Sequence, residues 1–352
     1  MSRRFSFGFD KFSGLYLFAA FIVIFGFWSP DNFLTVNTAH TIASQQAVAG
    51  MVALALLLPM VCGHFDLSIG AMANLGGMIA VIAQTEHGVA PLPAIGLAVL
   101  AGLIVGFVNG LIVVGLRVSS FIATLGMGSV LAAFQTIVTN SQVPLPPPSL
   151  FWGELTQSKV FGFQIVVLYL IVLAVIIWWV LAYTPAGRFM YATGDNTDAA
   201  RLSGVRTDKW SWLSLMASAA LSALAGVLYV SLTGPSLTFG ATFLLPAFAA
   251  VFLGSTQLIP GRFNVWGTLI AIVVLATGVT GLQLVSEIQW VQDMFNGVAL
   301  IVAVALSAQR QRSVSGRWGR LRRRRQIADD AGDVGGSDGG LAAETGTAAA
   351  SR

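Results

Sequence analysis

Between Gly14 and Ser307 the chain passes through one long apolar run after another, and few charged residues interrupt them. Such a chain has lipid as its natural solvent. A segment of about 20 mostly apolar residues crosses a bilayer as a helix, because the helix pairs its own backbone groups where lipid offers no partner. Spans are placed near residues 14–28, 43–62, 66–84, 91–116, 119–139, 163–183, 211–232, 242–258, 264–285 and 290–307, ten in all. Only 10% of the 352 residues are charged, against about 25% in soluble domains, and mean hydropathy is +0.79.

The charges test this count independently, since Lys and Arg are retained on the cytoplasmic side of short loops. With the N-terminus inside, all of the 19 Lys and Arg residues fall inside except Lys159. Asp31, Glu86, Glu154 and Glu287 fall outside. One span more or fewer between the loops would scramble that segregation. The expected fold class is therefore an all-α membrane protein of about ten transmembrane helices with both ends cytoplasmic, in the cell's inner membrane. Its parts are a segment 1–13, a membrane domain 14–307 containing a long cytoplasmic loop 184–210, and a basic, then disordered tail 308–352.

Trp28, Trp152, Trp178, Trp210 and Trp290 sit near span ends, where the amphipathic indole prefers the interface. The net charge of +4 comes largely from the tail and calls for no nucleic acid. Its run Arg322 to Arg325 suits anionic headgroups and acts as an orientation signal. The N-terminus shows no small-residue cleavage site, so the first span is expected to stay as an anchor.

Several chemistries lack their residues. There is no G-x-x-x-x-G-K-[ST] loop to cradle ATP, and His40, His64 and His87 have no spacing that would hold zinc. The lone Cys62 excludes an intrachain disulfide and a multi-cysteine metal site. No nucleophile elbow is present, so an enzyme is not expected and no cofactor is needed. Ion-coupled transport of a small neutral solute remains the alternative, although such carriers usually hold acidic residues inside their spans. Here only Asp66, at the start of the third span, and Asp293 come near.

The loop 184–210 is patterned rather than plain. Asn196 or Thr197 is suited to cap a short helix, Asp198 to its positive end, and Ala199 to Leu202 to its body. Gly204 then closes it as a left-handed C-cap. The expected product is a small exposed helix with a flat Ala199-Ala200 face beside Arg201, Arg206 and Lys209, a surface that invites a partner.

Four ordered stretches carry a family resemblance. Gly194, Asn196, Ala199, Ala200, Ser203 and Gly204 form a G-x-N-x-x-A-A-x-x-S-G pattern similar to the coupling loop of ribose/xylose/galactose-type ABC permeases. GHFDLSIGA at 63–71, VNGLIVVGLRVSSFIATLGM at 108–127 and FAAVFLGSTQLIPGRFNVWGTLIA at 248–271 resemble three further motifs of that family. His64, Ser255, Pro260, Arg262 and Asn264 depart from the family pattern.

The resemblance implies a homodimer or paired permeases, two cytoplasmic ABC-type ATPase subunits that bind the ATP, and an extracytoplasmic sugar-binding protein. It implies that Asn196, Ala199, Ala200 and Gly204 contact the ATPase and that the cargo is a monosaccharide, a pentose or related neutral polyol. Asn74 and Asn109 are nominated for the pathway, because a neutral polyol needs amide donors and acceptors; an interhelical hydrogen bond is the other reading of each. Asp66 is expected to cap the third span. Asn109-Gly110-Leu111 and Thr280-Gly281-Leu282, each after a helical glycine and in spans of opposite direction, suggest an inverted repeat of five-helix halves.

Overall fold

The computed structural model describes residues 9–160, 162–286 and 290–308. Residues 1–8 of the expected N-terminal segment, and 309–352 with the basic run and tail, lie outside the described residues. Apart from a two-residue hairpin, in which β1 (Lys159–Val160) pairs antiparallel with β2 (Phe163–Gln164), the regular structure among the described residues is helical.

Among the described residues, seven helices are long and apolar enough to cross a membrane. They are α3 (Val36–Val61), α5 (Pro91–Gly110, prolonged by a π-turn over Leu111–Gly115), α6 (Ser120–Thr139), α8 (Ile165–Tyr183), α11 (Thr207–Thr233), α13 (Val265–Ser286) and α14 (Trp290–Ala308). Shorter apolar helices are α1 (Phe9–Trp28, apolar from Gly14), α4 (Ile69–Thr85) and α12 (Phe239–Gly254). Every apolar run placed from the sequence falls on one of these. The connecting helices are α2 (Pro30–Phe33), α7 (Leu150–Gln157), α9 (Pro185–Asp195) and α10 (Thr197–Leu202).

The core is built around α3, α4, α11 and α12, whose side chains are mostly buried, while α6, α8 and α14 turn apolar side chains outward. Lipid is as apolar as leucine, so close packing rather than water exclusion must hold helices together. Small residues permit it. α11 crosses α5 where a Cβ at Gly106 would lie 2.4 Å from the Met216 backbone, and crosses α4 where a Cβ at Gly226 would lie 1.7 Å from the Ala73 carbonyl oxygen.

Two stretches of non-helical backbone enter the bundle from opposite ends. After α3, residues 62–68 climb beside α11: His64 Nε2 meets Ser211 Oγ at 2.8 Å, and Asp66 Oδ2 accepts from Ser218 Oγ at 2.8 Å. Ser218 lies about 16 Å along α11 from its first residue. After α11, residues 234–238 descend from the other end to the start of α12. There α4 and α12 begin side by side, so close that a Cβ on Gly240 would lie 2.0 Å from the Gly70 carbonyl oxygen. Irregular backbone at such depth is tolerated only where protein satisfies its polar groups. α6 does this for the first stretch: the Phe65 N–H donates to Ser120 Oγ at 3.0 Å and the Leu67 N–H to Thr124 Oγ1 at 2.9 Å.

Candidate functional site

Asp66 is fully buried rather than sitting at the rim of the bundle. Its Oδ1 accepts from the Ser68 N–H at 3.0 Å and from Ser68 Oγ at 2.6 Å, and Ser218 supplies the third donor. It therefore does not cap α4 in the strict sense. The N-cap position belongs to Ser68, and Asp66 closes the turn just before it. Asn109 joins this cluster by donating to Ser68 Oγ at 3.0 Å, while its Oδ1 finds no partner. The group ties the entry to α4 onto α5 and α11. Asp66→Asn is expected to lower the folded yield, since all three accepted bonds lose their charge and one acceptor oxygen becomes a donor, a loss of about 1–3 kcal/mol for a buried network. The monodisperse fraction in detergent measures it; wild-type yield with altered substrate choice would overturn this role.

Asn74 has a different setting. Its side-chain amide donates to Gln135 Oε1 of α6 and to the Leu237 carbonyl, and its Oδ1 accepts from the Gly240 N–H at 3.0 Å. Gln135 Nε2 also donates to Leu237 O at 2.8 Å. This pair of amides satisfies the second irregular stretch and forms one wall of a cavity of about 480 Å³, which Thr136, Thr139, Ser141 and Thr238 also line. Among the described residues, no charged one lines it. Asn109, nominated together with Asn74, does not reach this cavity. Gln135, Thr136 and Thr139 were not nominated from the sequence; an amide one turn from the end of an apolar span was the signal for the first.

At one end of the bundle α9 and α10 form a compact surface. Asn196 Oδ1 accepts from the Ala199 N–H at 3.0 Å, which starts α10. At its end Gly204, at φ +82°, donates to Arg201 O at 2.9 Å, and the Val205 N–H donates to Ala200 O at 3.0 Å. These two bonds make the closing turn a Schellman motif. The guanidinium of Arg201 pairs with Asp208 and donates to Thr207 Oγ1 at 2.8 Å, anchoring α10 to α11.

Ala199 is exposed, but Ala200 is buried, so the flat face expected from both is not present. The outward apolar feature is Leu202, 91% exposed at the tip. Helical phase alone decides which of these neighbours points out, and the loop sequence does not reveal the angle at which α10 docks. Arg117 lies near this surface, lining with His64, Thr197, Arg201, Asp208 and Ser211 a recess of about 270 Å³. Arg262 packs on α9 itself, its guanidinium 3.6 Å above the Tyr191 ring. Lys159 lies at the opposite end, beside Thr233.

Residues 38–304 match the family described as branched-chain amino acid transport system / permease component. The chain belongs to this family. The permease is 31% identical over 285 residues to the ribose import permease protein of Escherichia coli (strain K12), covering 80% of this chain and 88% of that one. It is 28% identical over 296 residues to the fructose import permease protein of Rhizobium meliloti, covering 81% of each. The D-allose transport system permease protein of Escherichia coli (strain K12) is 27% identical over 299 residues, 84% of this chain and 91% of that one. No solved structure matches the permease. It is a multi-span helical membrane protein and a transport component, not an enzyme.

Proposed function

We propose that the permease is the membrane subunit of an ABC importer that passes a monosaccharide, a pentose or related neutral polyol, from an extracytoplasmic binding protein into the cytoplasm. Separate ATPase subunits supply the energy, and no cofactor binds the permease itself. The observation that carries this reading is α10, a helix capped at both ends that presents Leu202 and Ala199 at the basic end of the bundle. An exposed leucine on a rigid helix is a docking feature, and Asn196 and Gly204 hold its shape. Ala200 seats the helix from inside.

The cargo assignment draws on relatives named for ribose, fructose and allose and on the cavity at Asn74. Its amides and hydroxyls are suited to a polyol, and its uncharged lining to a neutral one. Thr136→Trp, which fills that cavity from an outward position, is expected to cut uptake by at least about ten-fold while ATPase binding persists. Uptake at the wild-type rate would remove the cavity from the pathway.

Ten crossings with both ends cytoplasmic, in the inner membrane, suit the gathering of Arg117, Arg188, Arg201, Arg206, Lys209 and Arg262 toward the α9–α10 end. An inverted repeat of five-helix halves is supported by the two short helices that begin side by side and run apart. Their entries are Asp66-Leu67-Ser68-Ile69-Gly70-Ala71 and Ser236-Leu237-Thr238-Phe239-Gly240-Ala241, six positions of shared character. Their offset, 170 residues, nearly equals the 171 between Asn109 and Thr280. Two copies, or a pair of permeases, would complete the pathway between them.

The test is reconstitution of the permease with its ATPase and binding protein. Uptake should require ATP and the binding protein. Solute accumulation by the permease alone on a proton gradient would replace this reading with ion-coupled transport, in which Asp66 would have to exchange its three hydrogen-bond partners for a cation.

A further inference from the structure

We propose that α9 is a two-point transmission element, pressing on the entry to α4 through Gly194 and holding the exit of α12 through a clasp of Tyr191 with Arg262 and Phe263. One displacement of α10 then reaches both short helices together. The inference rests on α10 being the ATPase contact and adds the route by which its movement enters the bundle.

α9 and α10 move as one piece. Asn196 is at once the C-cap of α9 and the N-cap of α10, so no flexible linker separates them. Thr197 Oγ1 donates back to Thr193 O at 2.9 Å across the junction.

The first contact is backbone on backbone. A Cβ at Gly194 would lie 2.2 Å from the Val61 carbonyl oxygen, at the end of α3, and Gly63 approaches the Gly194 Cα to within 3.5 Å of its own virtual Cβ. Beyond Gly63 the chain passes within three residues to Asp66 and then to α4. A push on Gly194 therefore meets no soft side chain before it reaches the turn.

The second contact is a clasp of two different interactions. Tyr191 Oη donates to Phe263 O at 2.6 Å, and the Arg262 guanidinium covers the ring at 3.6 Å. A cation over an aromatic face is attracted by the ring quadrupole, more strongly where water is partly excluded. The receiving turn is stiff. Asn264 Nδ2 donates to the carbonyls of Gly254, Gln257 and Arg262, and its Oδ1 accepts from the Gly267 N–H at 2.7 Å. That turn joins the last residue of α12 to α13 without slack.

The clasp is not needed to keep α9 and α10 in place. Phe189 packs on Trp210, with ring centroids 5.7 Å apart, and Arg201 is bound to Thr207 and Asp208, all on α11. Tyr191 adds a link to the other half of the bundle. Removing it leaves the loop attached to α11 but linked to only one of the two short helices, α4.

The experiment uses the reconstituted importer and measures solute moved per ATP hydrolysed, together with ATPase co-purification. Arg262→Gln and Tyr191→Leu are expected to lower that ratio about ten-fold, the size of an ordinary coupling between sites, while co-purification stays at the wild-type level. Tyr191→Phe, which keeps the ring and loses the hydroxyl, should fall between, and Arg262→Lys should recover much of the ratio. Transport and hydrolysis that fall in proportion, with the ratio unchanged, would overturn the transmission role and leave a structural contact. Failure of the wild-type chain to bind any ATPase would instead overturn the docking reading beneath it.

Discussion

Gly226→Val removes the folded permease from the membrane. At this position α11 lies on α4 with no side chain between them, and a Cβ would meet the Ala73 carbonyl oxygen at 1.7 Å. Gly76 and Gly77 make the same crossing from the other side, where a virtual Cβ would lie 2.7 Å from Ala223 Cα and 2.6 Å from Val230 Cγ2, respectively. No rotamer relieves a clash of backbone with Cβ, so the two helices must separate. Overpacking that side chains can partly absorb costs about 1–3 kcal/mol; here the cost lies above that range. It falls on α11, which also holds Asp66 through Ser218.

Membrane yield of monodisperse protein is expected to drop by at least about a hundred-fold, since a cost of about 3 kcal/mol or more exceeds two powers of ten in an equilibrium constant. Fluorescence-detected size exclusion reads it directly. Gly96→Val and Gly126→Val are the controls, since a Cβ there meets nothing within 4 Å. Equal losses at all three positions would mean that glycine in these helices matters for reasons other than close approach.

Leu202→Asp should leave the bundle intact and separate it from its ATPase. Leu202 is 91% exposed and has no packing to lose, so the substitution costs the isolated permease almost nothing. In the assembled importer, burial of a leucine is worth about 1.5–3 kcal/mol, and a buried unpaired carboxylate adds a penalty. Loss of a contact of hot-spot size, 2 kcal/mol or more, weakens association by about thirty-fold. Co-purification of the ATPase and ATP-driven uptake should fall together, while thermal unfolding of the permease stays unchanged. Ala199→Glu, on the same outward face, should act in the same direction. Ala200→Glu is expected to differ, because Ala200 is buried and a charge there unseats α10 itself. Normal association and uptake in both Leu202→Asp and Ala199→Glu would remove α10 from the coupling surface.

The helical elements were legible because each depends on its own residues. A run of apolar residues long enough to cross lipid has little choice but to be a helix, and the caps of α10 at Asn196 and Gly204 act within three residues of themselves. Asn74 could be marked from the sequence as an amide in an apolar stretch. What it faces could not, because Leu237 and Gly240 are more than 160 positions away. Asn109 carried the same mark and went elsewhere, into the cluster around Asp66. Arg262 and Asn264 stood out only as departures from a family pattern; the structure turns them into the brace and the clasp of one turn.

By itself, then, the amino-acid sequence determined that this chain is a multi-span helical membrane protein with a capped helix in its longest loop, because hydropathy and capping are local and lipid leaves few alternatives. The tertiary structure alone decided where the helices break and meet. The start of α4 against α12 and the depth of Asp66 depend on Gly240 and Ser218, each more than 150 positions from its partner, whereas the burial of Ala200 and the exposure of Leu202 follow from the angle at which α10 docks.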